Sequence, residues 1–374
     1  PSSFSQYDAY LGFEHFEPGT LRYSAPGDPS DVASAKQAFF PGDTIYGKLR
    51  PYFRKVGWVR DISGICSTDL WVLQPHDGVD PRFVFYVAAS PAFTEVATSS
   101  SEGTRMPRAS WSVIKDFEVR EIGLDEQRAI SGTLGALDDK ILSNMRARAL
   151  LNDLVHAHFS QVIAEGDLRT TPLAEVASIT KGRSYKTTEL QPSPIALVTL
   201  KSIDRNGGYR ADGLKPYVGP FKEDQIVAPG DSVVAQTDLT QNAEVVGRGV
   251  RVPEVRGFES LVASLDLAIV RPKGDMPREY LHALLTTEQF RQHCRSHTTG
   301  TTVLHLAKDA IPTWPAPLVS AAQQLAYAEF VRPLLARGDQ LSQEVERLEA
   351  LREALLPELL AGRVRVPRQK ESAS

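Results

Sequence analysis

Pro41-Gly42-Asp43-Thr44-Ile45-Tyr46 is answered further along the chain by Pro229-Gly230-Asp231-Ser232-Val233-Val234, an offset of 188. Each stretch joins a turn tripeptide to a β-branched run, the pattern of a tight turn entering a strand. Working outward, Ala9-Tyr10-Leu11-Gly12-Phe13-Glu14-His15-Phe16 lines up with Ala196-Leu197-Val198-Thr199-Leu200-Lys201-Ser202-Ile203 at offset 187. Gly103-Thr104 returns as Gly300-Thr301, and the helical stretch opening at Gln127 returns at Gln324, both at offset 197. Landmarks in the same order at nearly constant offset mark a duplication, and a period this long makes it a duplicated domain, not a solenoid. Two related but diverged modules suit a protein that touches two similar but different things.

At 374 residues the chain has room for two or three domains, each able to bury a core. Its 42% hydrophobic and 24% charged content is that of an ordinary globular protein. No apolar run approaches the ~18 residues of a membrane span, and the opening PSSFSQYDAY lacks the regions of a secretory signal. Cys66 and Cys294 make no disulfide framework and no C-x-x-C pair, so a reducing, cytoplasmic setting is expected. The net charge of −4 gives no general support to nucleic-acid binding, so a basic surface has to be local.

Each copy divides in two. Short β-branched and aromatic segments come first, among them Val56-Gly57-Trp58-Val59, Asp69-Leu70-Trp71-Val72-Leu73 and Asp266-Leu267-Ala268-Ile269-Val270. They read as strands with tight turns. Apolar spacing predicts short helical segments from Arg82 to Thr98 and from Arg278 to His293. A long helix then follows in each copy. The first has apolar residues at Ile130, Leu134, Leu137, Ile141, Leu151, Val155 and Val162. The seam of the second is Leu341, Val345, Leu348, Leu351, Leu355 and Leu359, with Pro333 and Gly338 weakening its start and Pro357 and Gly362 ending it. Both approach the 3-4 alternation of a coiled coil. About 38 residues span roughly 57 Å as a helix, so an antiparallel pair would make a rigid spacer; amphipathic helices packed on their own domains are the alternative.

The expected class is therefore α+β, two mixed α/β domains separated by two long antiparallel coiled-coil helices. The expected divisions are residues 1–124 and 165–321 for the domains, 125–164 and 322–363 for the helices, and 364–374 for a disordered tail. One asymmetry stands out. Offset 187 sets Pro1 opposite Thr188, leaving Thr170 to Thr187 without a counterpart in the first copy. Either an opening segment is missing there, or another part of the structure closes the first domain.

Catalytic motifs are not found. The chain has no phosphate-cradling G-x-x-x-x-G-K-[ST] loop, no H-E-x-x-H and no G-x-S-x-G elbow. It also has no Asn/Asp-Pro-Pro-Tyr/Phe stretch to hold a flipped adenine. His293 and His297 have ligand-like spacing but lack a second ligand pair, and His156 and His158 point to different helix faces. No cofactor and no metal is expected on this chain.

The candidate residues are those of a reader. Lys48, Arg50, Arg54 and Lys55 with Tyr52 and Phe53 pack four positive charges and two aromatics into eight residues, able to contact phosphates and base edges, or else forming a solvated hairpin rim. Gly103-Thr104 with Arg105 and Arg108 can bring backbone N–H groups to a phosphate; the counterpart keeps Gly300-Thr301 but has Thr302 in place of Arg105, with His305 beyond. The second copy adds Lys181, Arg183, Tyr185 and Lys186, and then Gln236, Thr237, Gln241, Asn242 and Arg248. Arginine and lysine favour guanine edges and asparagine and glutamine favour adenine, so the copies offer different donor and acceptor sets.

In Pro41-Gly42-Asp43-Thr44-Ile45-Tyr46-Gly47-Lys48-Leu49-Arg50-Pro51-Tyr52, Gly64-Ile65-Cys66-Ser67-Thr68-Asp69, Gly103-Thr104-Arg105-Met106-Pro107-Arg108, Glu126-Gln127-Arg128-Ala129-Ile130, Leu137-Asp138-Asp139-Lys140-Ile141, Gly300-Thr301-Thr302 and Leu355-Leu356-Pro357-Glu358-Leu359-Leu360-Ala361-Gly362-Arg363-Val364, the chain resembles the specificity (S) subunit of Type I restriction–modification systems. The resemblance implies a non-catalytic subunit with two target recognition domains, each reading half of a bipartite, asymmetric double-stranded DNA sequence. The helices would set the spacing of the half-sites. It also implies two modification subunits that bind S-adenosylmethionine and methylate adenine at N6, and ATP-driven translocase–nuclease subunits that use ATP and Mg. No membrane partner is expected. Other classes remain open: the recognition half of a fused restriction–methylation enzyme, or a coiled-coil scaffold that binds protein and no DNA.

Overall fold

A computed structural model describes residues 7–32, 37–205, 207–240, 242–301 and 303–366. The chain forms two compact units, residues 1–144 with 344–374 and residues 145–343. Each unit holds part of both long helices.

The first unit contains β1 (Ala9–Leu11), β2 (Gln37–Phe39), β3 (Thr44–Gly47), β4 (Val56–Trp58), β5 (Gly64–Cys66) and β6 (Leu70–Leu73). After them come α1 (Pro81–Ala88), α2 (Pro91–Ser99), α3 (Trp111–Ile114) and the start of α4 (Leu124–Glu165). β5 lies between β1, parallel to it, and β2, antiparallel. β3 lies between β4 and β6 in an antiparallel sheet. The Pro-Gly-Asp turn works as its sequence suggests. Gly42 takes a left-handed φ of 97°, and the buried Asp43 carboxylate accepts the Phe40 N–H at 2.9 Å. The single helical segment expected from Arg82 to Thr98 is two helices, because Ser90 caps a fresh N-terminus by accepting the Phe93 N–H and Pro91 fills its first turn.

The second unit repeats this frame and adds to it. It holds β7 (Arg169–Pro172), α5 (Leu173–Val176), β8 (Ala177–Lys181), β9 (Ile195–Val198), β10 (Lys215–Pro216), β11 (Ser232–Ala235) and β12 (Thr237–Asp238). β13 (Gly249–Arg251), β14 (Ser260–Ala263), β15 (Leu267–Pro272), α6 (Arg278–Leu285) and α7 (Glu288–Ser296) follow. The unit continues with β16 (Thr298–Thr299), β17 (Leu304–Leu306), α8 (Ala310–Thr313), β18 (Pro315–Leu318) and the first part of α9 (Ala321–Leu360). Ser232 pairs with Val270 as Thr44 pairs with Leu73, so the duplication extends to strand register. Thr287 restarts α7 as Ser90 restarts α2. β7, α5 and β8 come from the stretch without a counterpart. β8 pairs with β15, whereas among the described residues of the first unit β6 pairs with β3 alone.

The helices run antiparallel within each unit. In the first, Arg352 meets Asp138 and Lys140 meets Glu344. In the second, Arg148 donates to Ser342, and His158 lies against Tyr327 and Phe330. Ile130 and Leu134 join Leu356 and Leu359 in one core; Val155 and Phe159 join Tyr327 and Val331 in the other. Two readings of α9 need correction. The helix runs unbroken through Pro333, Gly338 and Pro357 to Leu360, and Gly362 at φ 71° closes it. Leu351, placed in the seam by spacing, is 46% exposed, while Arg352 takes the inward position at 1%. Residues 367–374, most of the expected disordered tail, lie outside the described set; Val366 packs on the first core. The α+β class with two long paired helices stands. No helix among the described residues is long and apolar enough to cross a membrane.

Candidate nucleic-acid interface

In each unit two of the segments singled out as readers, distant in sequence, meet. In the first, Leu49 bridges Arg108, and Arg108 bridges Glu102, a short three-stranded ladder. Its bonds are main-chain: Lys48 N–H to Asp69 carbonyl (3.0 Å), Ala109 N–H to Lys48 carbonyl (2.9 Å) and Arg50 N–H to Pro107 carbonyl (2.7 Å). Gly103 turns the outer hairpin at φ 96°. In the second unit β12, β17 and β16 form the same ladder, Thr237 opposite His305 and His305 opposite Thr299. Gln236 N–H reaches the Asp266 carbonyl (2.7 Å), and Leu306 N–H reaches the Gln236 carbonyl (2.8 Å). At Gly300 (φ 114°) a Cβ would lie 2.1 Å from the Val303 carbonyl oxygen, so no side chain fits that turn.

Side chains differ where the frame agrees. Thr104, Arg105 and Arg108 are exposed on the first hairpin, beside half-buried Lys48 and Arg50. Arg108 is held by Asp69 at 2.9 Å, and Arg50 reaches the Arg105 carbonyl at 3.4 Å. Tyr52, 51% exposed, caps the loop that follows. A cleft of about 430 Å³ opens beside the ladder, lined by Lys48, Trp71, Glu102, Arg108 and Trp111.

Two of the expected surface cations are engaged elsewhere. Lys55 is buried, donates to the Phe13 carbonyl at 2.8 Å and sits 3.8 Å over the Phe13 ring. Burial holds its ammonium below the usual lysine range, against the opposing pull of Glu14 and Glu17. Arg54 forks onto Glu353 of α9 at 2.5 and 2.9 Å. The Lys48-to-Lys55 stretch is thus divided: its first half faces out, and its last two cations face into the unit.

In the second unit His305 and Thr301 are exposed, and Gln236 is half-buried. Thr237 is buried with its hydroxyl turned to Asp266 (3.0 Å). Gln241 and Thr302 lie outside the described residues. Asp238 organises the loop after the ladder, accepting from the Thr240 N–H and hydroxyl and from the Val245 and Val246 N–H groups at 2.6–3.1 Å. Burial alone would raise its carboxyl; these donors outweigh it and hold the carboxyl below the usual range. Asn242 is exposed, and its carbonyl accepts from Arg295. Arg248 donates to the Glu244 carbonyl at 2.7 Å; burial, then the charges of Arg291 and Arg295, lower its guanidinium.

Arg291 and Arg295 were not singled out from sequence. Their i, i+4 spacing on α7 sets both against the carbonyls of residues 242–244, and that spacing is visible in the sequence. Arg183 enters through the turn at Ser264–Asp266. Leu265 N–H donates to the Arg183 carbonyl, while Asp266 receives Gln236. Lys181 and Lys186 are exposed; Tyr185 is half-buried, with Lys215 donating to its hydroxyl at 3.3 Å.

Among the described residues no three His, Cys, Asp or Glu side chains converge to hold a metal ion. His293 and His297 bond to the carbonyls of Ala310 and His293, and between them burial pushes the Cys294 thiol up to about 12.

No family model matches the chain. Over 99 residues it is 31% identical to the Type I restriction enzyme EcoDI specificity subunit of Escherichia coli, a match covering 26% of this chain and 22% of that protein's length. The crystal structure of a Type-I restriction-modification system S subunit from M. genitalium superposes with a TM-score of 0.56 at 16% identity, covering 94% of this chain and 88% of that one. The HsdS subunit from Thermoanaerobacter tengcongensis matches at TM-score 0.37 and 18% identity, over 96% and 91% of the two chains. In fold over nearly its whole length, and in sequence over about a quarter of it, this chain is similar to the specificity subunits of Type I restriction–modification systems.

Proposed function

We propose that this chain is the sequence-reading subunit of a Type I restriction–modification complex, each unit contacting half of a bipartite, asymmetric target in double-stranded DNA. The observation that carries the reading is the ladder built twice on one main-chain frame with different outward side chains: Lys48, Arg50, Arg105 and Arg108 in one unit, Gln236, Thr301 and His305 in the other. Main-chain bonds fix geometry, and side chains choose base edges. A basic, arginine-bearing ladder favours guanine and phosphate; an amide- and imidazole-bearing one suits a different half-site.

The rest of the proposal follows the family resemblance. The long helices serve as the spacer between half-sites, α4 alone running 42 residues, about 63 Å. The chain itself carries no catalysis and no cofactor. Two adenine-N6 modification subunits supply S-adenosylmethionine, flipping the adenine into their own pockets, and translocase–nuclease subunits supply ATP and Mg chemistry. The assembly works in the cytoplasm.

Methylome mapping of cells carrying this chain and its modification subunit tests the reading. The expected result is N6-methyladenine in a motif of two unlike halves separated by a fixed gap. A contiguous motif, or none, sinks it. Methyl transfer by the purified chain with S-adenosylmethionine alone would favour a fused enzyme instead, and a chain that binds the subunits but retains no DNA would be a scaffold.

A further inference from the structure

In the first unit the reading loop is tied to the paired helices by a chain of charged groups. Arg50 and Arg54 flank the single turn Pro51–Phe53, and both take a left-handed φ of 48°. Arginine holds that conformation only where its surroundings over-determine it. Arg54 forks onto Glu353. Glu353 also accepts from Arg352 at 3.1 Å, Arg352 donates to Asp138 of α4 at 2.7 Å, and the other Asp138 oxygen accepts the Tyr86 hydroxyl of α1 at 2.5 Å. One helical turn before Glu353, Glu349 takes Arg22 at 2.9 Å. Burial tends to raise the Glu353 carboxyl, but Arg54 and Arg352 outweigh it, and the carboxyl lies below the usual range.

The second unit is built otherwise. At the positions matching Arg352 and Asp138 it has Val155 and Leu335, apolar members of its core. Its loop is held by Asp238 and by arginines of its own α7, and its tie to α9 is made from a strand, where Arg251 donates to Asp339 at 2.5 Å.

We propose that Arg54, Glu353, Arg352 and Asp138 are positioning residues that make target discrimination by the first unit depend, through its reading loop, on the helix pair. The proposal rests on the DNA-reading assignment above. Any event that shifts α9 against α4 acts on Arg50 and Tyr52 through this chain, whereas the second unit meets α9 through the strand residue Arg251 and Asp339, outside its ladder loop.

The test uses the full chain with its modification subunits and duplexes carrying the mapped target, with a substitution in one half-site or the other. Glu353→Gln is expected to cut discrimination at the first half-site at least tenfold, leaving discrimination at the second and the salt dependence of binding unchanged. The reversed pair Arg54→Glu with Glu353→Arg is expected to recover most of the loss. Equal loss at both half-sites marks a general folding defect, and undiminished discrimination at the first marks an idle ion pair; either overturns the proposal. An unmodified complex that prefers neither half-site would overturn the DNA reading itself.

Discussion

The two units share a strand frame in matching register, yet they join their paired helices to each other by opposite means. At the matching positions the first has Arg352, 1% exposed, with Asp138, while the second has Val155 with Leu335. Duplication preserves backbone geometry because every ladder bond is a main-chain bond, and it leaves the chemistry of packing free to diverge. A buried ion pair is seldom the more stable solution, since desolvation of both charges offsets their attraction. Its retention in one unit alone points to a need for defined geometry there.

The comparison can be broken most sharply at Asp138. Asp138→Ala leaves Arg352 without its α4 partner and is expected to destabilise the first unit by about 3–5 kcal/mol, read by denaturant unfolding. The double change Arg352→Val with Asp138→Leu imports the other unit's solution and should cost far less than the single change. If it costs as much, the pair contributes stability and not geometry. Next in size is Arg50→Ala, expected to weaken DNA binding by roughly tenfold, with the log–log salt slope falling by about 1. Arg54→Ala should leave that slope unchanged, because its guanidinium faces Glu353. Titrations at several salt concentrations separate the two.

Ser90→Ala and Thr287→Ala remove equivalent caps and should each cost about 1 kcal/mol. Unequal costs would show that the frames are less alike than their registers. The smallest expected effect is in pH. With Glu353 held below its ordinary 4.5, the folded state binds fewer protons than the unfolded chain there. Its contribution is therefore complete above about pH 4.5 and is lost as pH falls through the folded value. Glu353→Gln should flatten this part of the stability profile.

Much of this was legible in the sequence. Pro-Gly-Asp fixed the turn and the β-branched run after it fixed the strand, and the nearly constant offsets exposed the duplication. The ladders were half legible: Lys48–Arg50 and Gly103–Arg108 could each be named, but their pairing depends on contacts nearly sixty residues apart. Lys55 and Arg54 show the limit. Composition counts a charge without telling which face of a turn it leaves from, and here left-handed Arg54 turns the chain inward. Leu351 and Arg352 show another. Hydrophobic spacing favours leucine for a seam, and it is the Asp138 carboxylate opposite, with Glu353 beside it, that makes the arginine fit. The unbroken α9 shows tertiary packing overriding the helix penalty of Pro333.

The hairpin bonds at Lys48, Arg50, Gln236 and Leu306 all run through peptide groups. Exchanging the side chains at 48, 50, 105, 236 or 305 therefore removes none of these main-chain hydrogen bonds. Under the proposed function, a lineage can acquire a new address by point substitution, one half at a time, while the old architecture persists underneath.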